Sequence, residues 1–245
     1  ADGSVAVENV TERYGALLVT GPRARELLAR LTPEPLDDEH FPWRTAREIA
    51  LDGETARALR ISYAGELGWE LHHPIEQVPA LFAALMTAGE DLGATPFGFR
   101  ALDSLRLEKA YRGWGSELSS EASPLAAGLE RFVRLEKGEF VGRAALLAEV
   151  ARGPRERLAY LVVEAADADA FGGQAVYRDG RVVGIVTSGG YGHCVGRSIA
   201  MAYVEPASAV PGTTLEVEIL GERRPARVAP AALHDPANRR LSGGT

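Results

Sequence analysis

The apolar residues of this chain change their periodicity at the Arg-Gly-Pro-Arg stretch of residues 152–155. Beyond it, short alternating runs fall at about 158–164, 175–177, 181–188, 199–204, 214–219 and 224–229, separated by Gly, Pro or Asp. Period-two runs cut by frequent turn residues cannot continue as helices, so this part is predicted to be a small all-β domain, a barrel or a sandwich. Before the break, strand and helix periods alternate, which places the whole chain in the α+β class with domains at 1–153 and 154–245. With 245 residues, folding buries roughly 75% of the unfolded surface, and no disulfide staple is needed.

Within residues 1–153, the sequence predicts two short strands between 5 and 20, joined near residues 13–15, and then a helix over 22–31 carrying Leu27, Leu28 and Leu31 on one face. Runs at 46–51 and 55–63 flank Asp52 and Gly53 and read as a hairpin, with a further extended segment at 69–72. Helical spacing recurs over 75–92 and 97–110, and both helices are expected to pack on the hairpin; residues 142–150 form another short helix. The 27 basic and 34 acidic side chains leave a net charge of -7, which disfavours nucleic acid or an anionic membrane as a partner. A single cysteine, Cys194, and too few clustered Cys and His for a zinc site imply no metal and a reduced, cytoplasmic or organelle-matrix setting.

Three strings carry chemistry. Residues 63–70, Tyr-Ala-Gly-Glu-Leu-Gly-Trp-Glu, place two glycines and two carboxylates between aromatics where a strand meets a turn. Glycines admit close approach, a carboxylate accepts two parallel hydrogen bonds from an amidine-like edge, and Tyr63 or Trp69 offers a flat wall. A glycine-rich bulge with a buried tryptophan and two solvated acids accounts for the same string. In residues 103–115, Arg106 with Lys109 and Glu108 with Arg112 have the spacing of a helical salt-bridge face, and by pattern Tyr111 and Trp114 read as core rather than as a ligand platform. Residues 188–197 read as a glycine-rich polar loop in which Arg197 suits an anion; His193 and Cys194 are neighbours on an extended chain and point to opposite sides.

Taken in order, residues 63–70, Phe97-Gly98-Phe99-Arg100, residues 103–115, Ala127-Gly128-Leu129-Glu130 and Phe140-Val141-Gly142-Arg143 resemble the glycine-cleavage T-protein (aminomethyltransferase) family. The run from Ser104 to Gly115 is most similar to the C-terminal folate domains of dimethylglycine and sarcosine dehydrogenases and oxidases. The resemblance implies a folate-binding α+β domain followed by a small β-barrel, with tetrahydrofolate held by Tyr63 and Glu70. Arg100, Tyr111 and Trp114 are further folate candidates. The family's arginine directly before the Asp-Ser-Leu-Arg run is Leu102 here, and Arg100 lies two residues earlier.

The resemblance also implies a catalytic aspartate in an N-terminal subdomain well ahead of the folate motif, and here only residues 1–62 precede Tyr63. That subdomain and its aspartate are therefore expected to be missing, leaving the catalytic residue unknown and the aspartate on a preceding segment or partner; only if the chain proves active by itself must Glu66 or an acid within 1–62 take its place. The implied function is transfer of a one-carbon unit from the iminium of an N-methyl amine to tetrahydrofolate, giving 5,10-methylenetetrahydrofolate. FAD is expected only on a missing segment or a flavoprotein partner, because no Gly-x-Gly-x-x-Gly follows a strand. The alternative is a folate-binding or interaction module without catalysis.

Overall fold

The computed structural model describes residues 3–243, and these form two compact units. One comprises the described residues up to Gly98 together with those from Ala237; the other is Phe99–Pro236. The first is built on β1 (Tyr14–Thr20), β2 (Ala46–Leu51), β3 (Glu54–Leu59) and β4 (Gly68–Pro74), an antiparallel sheet in the order β1-β4-β3-β2. The β2/β3 hairpin turns at Asp52 and Gly53, both with positive φ, the conformation a two-residue turn needs to match strand twist. Helices α1 (Ala24–Leu28) and α2 (Val78–Ala88) contribute Leu27, Leu28, Leu81 and Leu85 to a core with Phe41, Leu51, Trp69 and Leu71. Burying each such side chain stabilises the fold by about 1.5–3 kcal/mol.

The expected strand over residues 5–10 does not form. Val5 and Val7 are 77% and 93% exposed, and this stretch joins no ladder among the described residues. Alternating valines need a partner strand and a core to face, and here they have neither.

In the second unit, α3 (Phe99–Glu108) precedes an irregular stretch, then α4 (Arg143–Arg152) and six strands: β5 (Arg157–Val163), β6 (Ala175–Arg178), β7 (Arg181–Gly192), β8 (Arg197–Val204), β9 (Thr214–Ile219) and β10 (Glu222–Val228). They close into a barrel in the order β10-β5-β8-β7-β6-β9. Ala200, Ala202 and Val204 of β8 point into the barrel with Leu161, Val186 and Val217. The alternate residues Ile199 and Met201 pack outward against Leu107 of α3 and Tyr160. A strand covered on both faces explains why seven of its residues in a row are buried. Helix α3 thus packs on β7 and β8, contrary to the expectation that it covers the hairpin. Residues 188–197 are likewise less loop-like than predicted, since β7 runs to Gly192 and β8 restarts at Arg197 after a tight turn. Among the described residues, no helix is long and apolar enough to cross a membrane.

Candidate functional site

Between β3 and β4 the chain turns through residues 60–67. The Ser62 hydroxyl oxygen accepts the amides of Gly65 at 2.9 Å and Glu66 at 3.1 Å, and Tyr63 lies half-buried on this turn. Where β4 begins, a Cβ on Gly68 would meet the Val19 carbonyl oxygen at 2.7 Å, so the second glycine of the string is required by the close approach of β1. From there the strand alternates. Trp69, Leu71 and His73 enter the core, while Glu70 and His72 lie on the other face.

Cross-strand register puts Glu70 between Leu18 of β1 and Leu59 of β3. Its carboxylate is 32% exposed, with the His72 Nε2 3.5 Å away. A carboxylate on an apolar floor, anchored by the strand and open on one side, is suited to two parallel hydrogen bonds from a planar N–H edge. Trp69 is fully buried, edge-on to Phe41 at 6.2 Å and beneath the Arg60 guanidinium at 5.6 Å, so it is core and offers no wall to a ligand. Glu66 is not solvated either: it pairs with Arg240 at 2.9 Å.

In the other unit the helix run behaves differently from a surface salt-bridge face. Helix α3 ends at Glu108, and Ala110 takes a left-handed conformation, so Arg112 is off the helix and cannot meet Glu108 at i,i+4 spacing. The charges turn inward instead. Buried Arg106 bonds Asp103 Oδ1 at 2.6 Å, Glu117 Oε2 at 3.0 Å, the Ser188 hydroxyl at 2.8 Å and the Tyr111 carbonyl at 3.1 Å. Glu117, also buried, accepts from the Gly113 amide at 2.6 Å and from the hydroxyls of Ser116, Thr187 and Ser188.

Burial alone would raise the Glu117 pKa, yet these donors and Arg106 outweigh it and hold the carboxyl below its ordinary range. The network fixes the 111–117 segment, on which Tyr111 is half-buried and Trp114 is 92% exposed. Burial, then the Asp235 carboxylate, pushes the Tyr111 phenol up. Trp114 is therefore not core. Arg100 is exposed near the start of α3.

At the β7/β8 turn, Arg197 and Arg227 line a cavity of about 810 Å³ whose other charged walls are Glu164, Asp167 and Asp169. The His193 ring packs edge-on against Tyr191 at 5.2 Å. Cys194, beside it in the turn from β7 to β8 and not on the extended chain expected, groups with Glu108 and His234. Neither this trio nor the Arg106–Glu117 hub was visible in the sequence. Each joins residues far apart in the chain, and the only local signal was the four charged residues of α3, Arg100, Asp103, Arg106 and Glu108, set among its leucines.

Comparison with known proteins gives a consistent picture. The GCVT N-terminal domain family matches residues 1–137, and the glycine cleavage T-protein C-terminal barrel domain matches residues 156–235. The chain is 42% identical over 240 residues to the mitochondrial dimethylglycine dehydrogenase of Mus musculus, covering 97% of this chain and 28% of that protein. It is 36% identical over 241 residues to the mitochondrial sarcosine dehydrogenase of Mus musculus, covering 95% of this chain and 26% of that one. The crystal structure of glycine cleavage system aminomethyltransferase T from Bartonella henselae superposes with a TM-score of 0.80 at 28% identity, over 91% of this chain and 60% of that one. The chain thus spans between a quarter and a third of the two dehydrogenases it matches.

Proposed function

Because the chain belongs to the glycine cleavage T-protein family, we propose that it binds tetrahydrofolate and accepts a one-carbon unit onto it, as the folate part of a dimethylglycine- or sarcosine-demethylating enzyme. The residues present fit the carrier. Glu70 is the observation that carries this reading: a partly exposed carboxylate between Leu18 and Leu59 matches the N3–H and 2-amino edge of a pterin lying against apolar side chains. Tyr63, on the turn just before β4, supplies the aromatic surface that buried Trp69 cannot. Tyr111 and exposed Trp114, on the segment fixed by the Arg106–Glu117 network, and Arg100 are further folate contacts in this proposal. Arg197 is proposed as an anion contact at its own cavity.

Tetrahydrofolate supplies the two amine nitrogens that take the methylene of the iminium cation, releasing the demethylated amine and one proton and leaving 5,10-methylenetetrahydrofolate. The protein's part is to fix the pterin orientation through Glu70, to line the ring with Tyr63, and to exclude water that would otherwise hydrolyse the iminium to formaldehyde. The oxidation that forms the iminium is assigned to a flavin outside these residues, since no Gly-x-Gly-x-x-Gly follows a strand here.

Glu70→Ala is expected to weaken tetrahydrofolate binding by about 30- to 150-fold, the loss of on the order of 2 to 3 kcal/mol for a charged bidentate acceptor. Calorimetric titration of the chain and the variant measures it, and a change under about threefold removes Glu70 from the site. Binding without turnover of an iminium donor would instead mark a non-catalytic folate module.

A further inference from the structure

We infer that Glu108, Cys194 and His234 form a site for one divalent zinc ion at the end of α3 that faces the β7/β8 turn. One ligand atom from each of the three lies within 4.8 Å of the others. Zinc bonded to sulfur at about 2.3 Å and to nitrogen or oxygen at about 2.0–2.1 Å sets its donors about 3.5 Å apart, so side-chain rotation of about an ångström closes the site. Thiolate, imidazole and carboxylate together form a donor set that favours zinc over calcium or magnesium. A fourth, open position remains for water or an incoming ligand.

Glu108 organises the site. It has no exposed surface, and its Oε1 accepts the backbone amides of Cys194 at 2.6 Å and Val195 at 3.0 Å. Those two bonds fix the carboxylate and leave Oε2, buried and without a hydrogen-bond partner, as the atom free to ligate. A buried carboxylate oxygen left unsatisfied costs about 1–3 kcal/mol, and coordination is one way to recover it. The backbone carbonyl of the same residue accepts the His234 amide at 3.2 Å. One side chain and one carbonyl of Glu108 therefore hold the chain segments of both other ligands, the outer-shell order that metal sites require.

Electrostatics agree. Glu108 is the last residue of a ten-residue helix, whose carbonyl end carries partial negative charge. The neighbouring cation, Lys109, is engaged by Asp235, through its carbonyl at 2.6 Å and its carboxylate at 3.5 Å. On binding, the Cys194 thiol gives up its proton to solvent and the thiolate donates its pair to zinc. The site then links α3, the β7/β8 turn and the segment after β10, independently of the folate reading.

The test uses the full chain, stripped with a chelator and titrated with zinc against a competing chelator of known affinity, alongside Cys194→Ser, His234→Asn and His193→Asn. Both partners of Glu108 are accessible, so these variants are expected to fold. One equivalent should bind to the unaltered chain and to His193→Asn. Cys194→Ser and His234→Asn should each bind about a hundredfold or more weakly, since even outer-shell losses cost 10- to 100-fold. Cobalt(II) in place of zinc should show a thiolate-to-metal charge-transfer band that Cys194→Ser abolishes. No stoichiometric binding, equal affinity in Cys194→Ser, or a cobalt spectrum without the thiolate band would overturn the site.

Discussion

Glu117 stays ionised inside the protein because of what surrounds it: the Arg106 guanidinium, the Gly113 amide and three hydroxyls. Its folded pKa is depressed, so its contribution to stability is fully present above the unfolded carboxyl value and is lost as pH falls through the folded one. Glu117→Gln is expected to cost about 3 kcal/mol at neutral pH, the low end for stranding a buried charge, because Asp103 still faces Arg106. The gap between variant and parent should narrow as urea midpoints are followed down through pH 4.5 and below, the ordinary carboxyl value being 4.5. A gap that is constant with pH would mean the side chain acts by packing alone.

Residue types in the two aromatic strings were readable from sequence, but their burial was not. Trp69 is core and Trp114 is exposed, although both sit beside glycines, because burial follows which face of β4 or which part of a loop a side chain occupies. For the same reason, the Glu70 position on the second face of the sheet follows from register and could not be read from spacing within 63–70.

At the scale of elements, legibility followed local patterning. The hairpin around Asp52 and Gly53 and all six barrel strands were readable, because period-two alternation and turn residues act within a few positions. What was not readable was which surface each element meets. An apolar stripe says that α3 must be covered, not that β7 and β8 do it, and alternating valines at 5–7 look like a strand even where no ladder receives them. Closing the barrel also decides why β8 lacks alternation, a pattern that depends on both of its faces being covered.

The β1/β4 pairing has a sharper requirement. Gly68→Ala puts a methyl group 2.7 Å from the Val19 carbonyl oxygen and near the Thr20 Cα, both backbone and unable to move alone. The variant is expected to lose about 1–3 kcal/mol, the usual cost of overpacking. Urea denaturation followed by tryptophan fluorescence measures this, since Trp69 is the next residue in the strand. A midpoint unchanged from the parent would show that the two strands separate without penalty.

For the molecule as a whole, the two family matches and the barrel fix its kinship. The barrel is a ring of unequal seams. β7 and β8 share eight register pairs and β5 and β8 share seven, but β6 meets β9 through only two and β10 meets β5 through three. Opening such a ring begins where the fewest bonds must break, so amide protons of the β5/β8/β7 arc should exchange with deuterated solvent only through unfolding of the unit, and those of the β6/β9 seam through smaller excursions. Mass spectrometry of exchanging peptides is expected to rank them in that order, and equal rates around the ring would mean it opens as one piece. A ring with two weak seams has a place where a segment can be loosened or replaced without disturbing the arc that carries α3.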